Sequence, residues 1–263
     1  MEIILENIKQ NDWEFSTTLS GKEIIGITGT DYEELLDILR LETLPEGKIQ
    51  IDGKEVTEEN YLNYYKKISK VDKKFQKINY LNTIKEHMDY IINYYHLQIK
   101  NIEKKEKDSL KIVGLDSSLL DRNITSLSTS EKKKVQIAIS LLSNPDMIIL
   151  DDPFRGLDSK NKKRIIMVLN KLKDQFHKII IIATQDADTL YQYTNKMLYV
   201  KNKRIFLEAP TEEGYERVDY LKRNGFALPE CVLFIYKAIK KKKVKLEYYK
   251  DIRDIIKDIY KHV

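Results

Sequence analysis

Short, unbroken runs of apolar residues recur along the chain and predict buried strands. The clearest runs are Met147–Leu150 and Ile179–Ala183, each bounded by polar residues. Continuous apolar runs of this length are typical of parallel strands that are covered on both faces. Similar runs predict strands at Ile3–Ile8 and Ile24–Thr28. Asp52-Gly53 predicts the tight turn of a hairpin, and Met197–Phe206 predicts a second hairpin with an asparagine in its turn.

Between these strands, apolar residues recur at helical spacing. They predict helices near residues 33–41, 135–142 and 160–176, and a mostly helical stretch at 57–121. Strands that alternate with helices indicate the α/β class. Pro210 predicts a linker. The expected organisation is therefore a domain at 1–210, with a helical insert at about 57–143, and a C-terminal helical domain at 213–263.

Composition limits the possibilities without giving a function. The chain has 263 residues, of which 42% are hydrophobic and 33% are charged, which suits a globular protein with one large domain or one domain plus a smaller one. No apolar run approaches the ~18–20 residues that span a bilayer, and the N-terminus lacks the pattern of a signal peptide. The lone cysteine excludes an internal disulfide, and a net charge of +5 does not by itself indicate nucleic-acid binding.

The strand at Met147–Leu150 is the most informative, because it ends in two carboxylates. Asp151 and Asp152 follow it directly, and Gly156-Leu157-Asp158 comes shortly afterwards. Open α/β sheets bind ligands at the carboxyl ends of their strands, and Mg²⁺ prefers carboxylate oxygens. Two acids at a strand end also cap the next turn without any ligand, and the residues alone leave both interpretations open.

The loop after the strand at Ile24–Thr28 is a second candidate site. Its sequence is Gly26-Ile-Thr-Gly29-Thr30-Asp31-Tyr32-Glu33. A phosphate loop reads Gly-x-x-x-x-Gly-Lys-Ser/Thr, and its backbone N–H groups and lysine hold phosphates. The last three residues of this segment stand at the glycine, lysine and hydroxyl positions. Asp31 and Glu34 also have capping-box spacing, so we expect the chain's own carboxylates to occupy this helix N-terminus.

The order of these motifs resembles the nucleotide-binding domain of ATP-binding-cassette (ABC) transporters. The matched motifs are a phosphate loop at 26–33, a signature at 127–131, a Walker B strand at 147–152, a D-loop at 156–158 and a switch at 184–186. The resemblance implies a P-loop NTPase-like core with a helical subdomain. Val218–Glu230 further resembles the tail of the ATPases of energy-coupling-factor (ECF) importers, a small helical domain that helps two subunits dimerise.

The resemblance assigns roles to single residues. It makes Asp151 the Mg²⁺ ligand, Asp152 the counterpart of the catalytic glutamate, and Gln185 the counterpart of the switch histidine. Asp152 is one methylene shorter than glutamate, and Gln185 cannot carry charge. Asp158 is the D-loop aspartate, and the Ser128 hydroxyl stands where the family contacts the γ-phosphate across the dimer. The Gly-Gly-Gln that follows in the family is replaced by Thr129, Ser130 and Glu131.

Other positions depart further from the family pattern. Lys73 stands where the family has a Mg²⁺-binding glutamine, and Gln76 is a less well-spaced candidate. Trp13 is the only aromatic residue near the adenine-stacking position, and we expect it to belong to the core. The lysines at 132–134 are predicted to form a solvated helix face. The scattered histidines and Cys231 indicate neither a metal site nor a nucleophile.

By this resemblance the cofactors are ATP and Mg²⁺, but the altered loop predicts weak or no binding in this chain's own site. The implied partners are a second ABC ATPase subunit and a transmembrane coupling subunit, at the cytoplasmic face of the cell membrane. Because a homodimer would have two defective sites, we expect a heterodimer with an active subunit. Two alternatives remain: a scaffold or regulatory protein outside transport, and an active ATPase in which Lys22 or Lys54 reaches the phosphate.

Overall fold

The computed structural model describes residues 1–74, 81–242 and 246–262. The strands within these ranges are β1 (Glu2–Gln10), β2 (Trp13–Ser20), β3 (Ile24–Gly29), β4 (Glu46–Ile51), β5 (Lys54–Glu55), β6 (Ile68–Val71), β7 (Met147–Asp151), β8 (Ile179–Ala183), β9 (Lys196–Lys201) and β10 (Arg204–Pro210). They form a four-stranded sheet in the order β2-β1-β4-β5 and a six-stranded sheet in the order β10-β9-β3-β8-β7-β6. Neighbours in the larger sheet are parallel, except β9 and β10, which form an antiparallel hairpin.

The helices cover the two sheets and extend to the C-terminus. They are α1 (Tyr32–Arg40), α2 (Tyr61–Tyr65), α3 (Ile84–Tyr94), α4 (Ile102–Ile112), α5 (Thr129–Ser140), α6 (Ser159–Phe176), α7 (Ala187–Tyr193), α8 (Thr211–Glu216), α9 (Val218–Arg223), α10 (Glu230–Lys242) and α11 (Ile252–His262). Short 3₁₀ turns lie at Ser117–Leu119 and Ile124–Ser126. In the described part of the chain, no helix combines the length and apolar character that a membrane crossing requires.

The α/β class and the main strands are confirmed, but the sequence interpretation missed two strands. β6 lies inside the stretch that was expected to be mostly helical, and it pairs with β7 through Ile68 opposite Met147. It is short and has Ser69 and Lys70 at its centre, so it lacks an apolar run. β2 carried a usable signal, because the apolar residues Trp13, Phe15 and Leu19 fall on one face at a period of two, and the structure buries that face.

The core has two parts, one on each side of the larger sheet. One part packs α1 and the four-stranded sheet against β3, β7 and β8, and includes Trp13, whose side chain is 1% exposed. This confirms the expectation that Trp13 belongs to the core. The other part packs helices α3 to α7 against the opposite face. Alternate residues of the parallel strands therefore enter different halves of the core, which fixes the register of each strand.

The C-terminal helices share this second part of the core. Tyr215 of α8 packs edge-to-face on Tyr199 of β9, with 5.6 Å between ring centroids, and Phe226 packs on the same ring at 5.3 Å. β10 ends at Pro210, and α8 begins at Thr211, which is fully buried. Pro210 therefore joins a strand directly to a helix. The division into two domains stays a prediction.

Candidate functional site

Parallel strands bring the predicted phosphate loop and the predicted Walker B acids to one edge of the larger sheet. β3 and β7 both flank β8, with Ile27 and Asp151 each opposite Ala183. Gly29 at the end of β3 and Asp151 at the end of β7 are thus one strand apart. The sheet topology places the ends of both motifs at the edge where α/β sheets bind ligands.

Tyr32, in the lysine position of the phosphate loop, points its hydroxyl at the predicted metal ligand. The hydroxyl oxygen lies 3.3 Å from Oδ1 of Asp151, and both side chains are buried, at 5% and 6% exposed. Burial, with the nearby Asp151, raises the pKa of Tyr32, so the phenol stays protonated and donates to the carboxylate. Burial, with Glu33, raises the pKa of Asp151. Tyr32 therefore supplies a neutral donor at a position where a phosphate loop has a cation.

Glu33 and Lys73 form an ion pair at the two positions where the family would hold Mg²⁺. The Lys73 ammonium lies 3.5 Å from Oε1 of Glu33, and both side chains are partly exposed. The charge of Lys73 also acts to lower the pKa of Asp151, against the effect of burial. A lysine ammonium thus offsets part of the negative charge at this edge. Gln76, the other candidate for the glutamine slot, lies outside the described residues.

The backbone of the loop is held by β9. Thr30 donates its N–H to the carbonyl of Val200 at 3.0 Å, and Gly29 has φ 123° with no room for a side chain against that carbonyl. The expected Asp31–Glu34 capping box is wrong. Asp31 has the left-handed φ of 60° and its side chain makes no capping hydrogen bond, because a capping box requires an extended N-cap residue.

Glu34 instead pairs with groups outside its helix. Its carboxylate accepts from Nε1 of Trp13 at 3.1 Å and pairs with the Lys203 ammonium at 3.2 Å. These hydrogen bonds lower the pKa of Glu34, first through Lys203 and then through Trp13. The acidic start of α1 is thus stabilised by tertiary contacts and by the helix dipole.

The switch glutamine contacts the phosphate loop directly. Nε2 of Gln185 donates to the carbonyl oxygen of Gly29 at 2.5 Å, and its Oε1 accepts from the Thr28 hydroxyl at 3.4 Å. Asp152, at the position of the catalytic glutamate, accepts from the Thr184 hydroxyl at 2.9 Å. Thr184 belongs to the predicted switch at 184–186, but sequence reasoning gave its hydroxyl no role.

The prediction of a solvated lysine face on α5 is wrong for two of the three lysines. Lys133 and Lys134 are only 5% and 7% exposed. Lys133 donates to the carbonyls of Asp72 and Lys73 at 2.9 and 3.0 Å, and so holds the segment that follows β6. Burial lowers the pKa of Lys133, while Asp152 and Asp151 act to raise it. The N-terminal turns of α5 face the sheet, a fact that charge alone does not reveal.

The signature begins α5 with a complete capping box. Ser128 is the N-cap, and its hydroxyl and N–H each lie 2.8 Å from Oε2 of Glu131, while the Glu131 N–H lies 3.2 Å from the Ser128 hydroxyl. These bonds lower the pKa of Glu131. Thr129 and Ser130 occupy the first turn. A carboxylate of the chain itself therefore lies at this helix N-terminus, where the family presents glycine backbone.

The D-loop packs against the signature within the same chain. Asp158 is the N-cap of α6 and accepts from the Asn161 N–H at 2.7 Å, and Lys134 donates to Oδ1 of Asn161 at 3.1 Å. Gly156 has φ 79°, and a side chain there would meet Thr129 at 3.2 Å. In the described part of the chain, no hydrogen bond or ion pair joins residues 128–131 to residues 26–33. The signature and the phosphate loop are therefore separate within this chain.

Comparison with known proteins agrees with this geometry. A family model described as ABC transporter matches residues 15–155. An energy-coupling factor transporter ATP-binding protein EcfA2 from Mycoplasma mobile is 27% identical, over 91% of this chain and 85% of its own length. EcfA3 from Oenococcus oeni is also 27% identical, over 92% of this chain and 85% of its own.

Solved structures give the same fold. The structure of cbiO1 from Clostridium perfringens, described as part of the ABC transporter complex cbiONQ, aligns with a TM-score of 0.70 at 22% identity, over 89% of this chain and 98% of its own. The dimeric bacterial ABC transporter cassette MJ0796 aligns with a TM-score of 0.68 at 23% identity, over 80% of this chain and 98% of its own.

Proposed function

The chain belongs to the ABC transporter family, and from this premise we propose that it is a degenerate ATPase-like subunit of an energy-coupling-factor importer. Its relatives named as energy-coupling factor ATP-binding proteins support this assignment, because the alignments run along nearly the whole chain. In such an importer the chain contacts a transmembrane coupling subunit at the cytoplasmic face of the membrane. ATP and Mg²⁺ serve the family, and the proposal concerns what this chain does with them.

The contact between Tyr32 and Asp151 carries the proposal that the chain's own site is inactive. A nucleoside triphosphate carries several negative charges. In the loop these charges would meet a neutral phenol and the carboxylates of Asp31 and Glu33. The phenol also donates to Asp151, the one matched metal ligand. That hydrogen bond engages an Asp151 oxygen that a metal ion would need. These residues do not fit a complex of Mg²⁺ with ATP.

Pairing with an active subunit follows from the difference between the two half-sites. In a head-to-tail dimer, the partner's phosphate loop faces the signature and D-loop of this chain. That side keeps the Ser128 hydroxyl at a helix N-terminus and the capped D-loop at Asp158. We infer that this chain completes its partner's site and that its own site is inactive. The C-terminal helices, residues 213–263, are proposed to contribute to the dimer contact.

Nucleotide binding by the isolated chain tests whether its own site is inactive. We expect that a fluorescent ATP analogue with Mg²⁺ shows no saturable binding to the isolated chain. The triple variant Asp31→Gly/Tyr32→Lys/Glu33→Ser restores the motif and is expected to bind at least about tenfold more tightly, since each charge-assisted hydrogen bond is worth roughly 1.5–3 kcal/mol. Micromolar binding by the unmodified chain would contradict the proposal.

ATPase activity separates the proposal from the alternative of an active enzyme. Activity of the isolated chain that disappears in Asp151→Asn would establish unorthodox catalysis. Nothing in the geometry favours this alternative, because Lys22 and Lys54 are exposed and Lys54 lies on β5 of the four-stranded sheet. Copurification of the chain with an intact ABC subunit would support the heterodimer, and copurification with a soluble enzyme alone would favour a scaffold.

A further inference from the structure

The exposed face of α6 forms an open groove with the end of α4. The groove measures about 810 Å³ and includes Ile112 and Ser159 at its margin. The remaining residues that line it recur three or four positions apart along α6, which places them in one stripe of the helix. They are Lys160, Lys163, Arg164, Met167, Val168 and Lys171. The stripe covers twelve residues, or about 18 Å of helix.

The floor of this groove is apolar and uncovered. The side chains of Met167 and Ile112 are 68% and 44% exposed, respectively. The opposite face of α6, with Ile165 and Leu169, is buried in the core. The exposed apolar stripe is therefore additional to what the fold needs, and it lies on a rigid helix that the core holds in place.

The rim of the groove carries ammonium groups without carboxylate partners. In the ranges that the structure describes, Lys160, Lys163 and Lys171 form no ion pair, whereas Lys162 and Lys173 on the same helix do. Arg164 is different, because its guanidinium donates to the carbonyl of Lys111 at 2.8 Å and so joins α6 to the end of α4. No acidic residue is among those that line the groove. Its electrostatic character is thus positive along its whole length.

We propose that this groove binds an acidic amphipathic helix of a protein partner, with apolar side chains on Met167 and Ile112 and carboxylates against Lys160, Lys163 and Lys171. A helix presents apolar residues at i, i+3, i+4 and i+7, and a groove three turns long accepts such a face. Carboxylates on the flanks complement the free ammonium groups. An anionic lipid surface offers negative charge without apolar side chains at helical spacing, so it matches this stripe less well than an acidic helix does.

Two designed peptides test the proposal on the full-length chain. Both are labelled 18-residue helices with leucines at the same i, i+3, i+4 and i+7 positions, and their flanking residues are glutamate in one and lysine in the other. We expect saturable binding of the glutamate peptide, on the order of 10 µM, and no binding of the lysine peptide. Equal binding of both peptides, or no binding of either at 20-fold higher concentration (about 200 µM), would overturn the proposal.

Matched variants locate the binding. The double change Lys163→Glu/Lys171→Glu is expected to weaken the glutamate peptide by roughly tenfold or more. The control Lys22→Glu/Lys54→Glu alters the net charge equally at exposed positions elsewhere, and is expected to change affinity less than about twofold. Equal effects of the two pairs would contradict a specific groove. Met167→Ala is expected to weaken binding about threefold at unchanged charge, and it decides the question if the double variant does not fold.

Vesicles distinguish a lipid occupant. Vesicles with about 30% phosphatidylglycerol, an anionic lipid of the kind that attracts basic segments, are sedimented with the chain and with the double lysine variant. We expect no vesicle binding that depends on Lys163 and Lys171. Vesicle binding that the double variant abolishes, together with no binding of the glutamate peptide, would replace the protein partner with a membrane surface.

Discussion

In both the phosphate-loop half and the signature half of this cassette, other residues replace the family's glycines. The side chains that fill the two motifs lie in different environments, one buried and one at the surface. In the phosphate-loop half, two buried groups meet, the Tyr32 hydroxyl and the Asp151 carboxylate. In the signature half, Glu131 folds back on Ser128 at the surface as a helix cap. The first arrangement fills an interior space, whereas the second occupies only a solvated helix end.

The pKa shifts of the two carboxylates show the same contrast. Burial raises the pKa of Asp151, so its charged form is disfavoured. Hydrogen bonds from Ser128 lower the pKa of Glu131, so its charged form is favoured. A buried site that is filled by its own side chains cannot be cleared without a cost in folding. A surface cap is cleared by rotation of one side chain, which is why we assign the remaining function to the signature half.

The largest expected effect is that of Gly29→Ala, which tests how rigidly the phosphate loop is held. A methyl group at Gly29 would lie 1.9 Å from the Val200 carbonyl oxygen, at φ 123°, so we expect a loss of about 3 kcal/mol or more in the free energy of unfolding. Gly53→Ala is the control, because Gly53 has φ 74° and open space around it, and should cost about 1 kcal/mol. Urea titration measures both. Equal costs would mean that the loop yields easily.

Tyr32→Phe tests the buried contact and should have the next largest effect. The variant leaves the Asp151 carboxylate without the phenolic donor, and we expect a loss of about 1–2 kcal/mol in the free energy of unfolding. The control Tyr260→Phe removes a hydroxyl from a side chain that is 80% exposed, and should change stability by less than about 0.5 kcal/mol. If the two variants are equally stable, the hydroxyl of Tyr32 does not stabilise the phosphate-loop half.

Ser128→Ala tests the surface cap and should cost about 1 kcal/mol, the usual value for loss of an N-cap side chain. Ser130→Ala changes a serine within the first turn of the same helix and is expected to be neutral or slightly stabilising. Thermal unfolding of the isolated chain compares the two. In a dimer with an active subunit, Ser128→Ala is expected to lower ATP turnover, while Ser130→Ala leaves it nearly unchanged. Unaltered turnover in both would remove the role proposed for Ser128.

The smallest effect is a dependence on pH with opposite signs in the two halves. Because the pKa of Asp151 lies above its ordinary 3.8 in the folded state, this group lowers stability as pH rises from about 4 through its folded pKa. The pKa of Glu131 lies below 4.5, so its contribution is present above that pH and is lost as pH falls through its folded pKa.

Asp151→Asn and Glu131→Gln separate these contributions. Relative to the unmodified chain, Asp151→Asn should become more stable as pH rises from about 3 to 6, and Glu131→Gln should become less stable. Urea titrations at several pH values give both slopes. Slopes of the same sign would contradict the contrast between a buried and a solvated carboxylate.

Local pattern explains why much of the fold could be predicted from the sequence. The apolar runs of β7 and β8 and the helical spacing of apolar residues in α6 reflect burial that each element needs wherever it packs. The sequence pattern did not predict β6, because this strand is short, has polar residues at Ser69 and Lys70, and is defined by its pairing with β7. The burial of Lys133 and Lys134 was not predicted for a related reason, since a lysine is buried only when particular carbonyl or amide oxygens accept hydrogen bonds from it.

The sequence by itself determined that the phosphate loop has no lysine and that its glycine and hydroxyl positions are acidic. It also determined the order of the signature, the Walker B acids and the D-loop, because a motif is a property of local spacing. Only the tertiary structure decided what replaces the missing groups. Tyr32 meets Asp151 across 119 positions of chain, and Glu33 meets Lys73, because parallel pairing of β3 and β7 with β8 brings their ends together. Contacts between distant residues depend on that pairing, which no local pattern records.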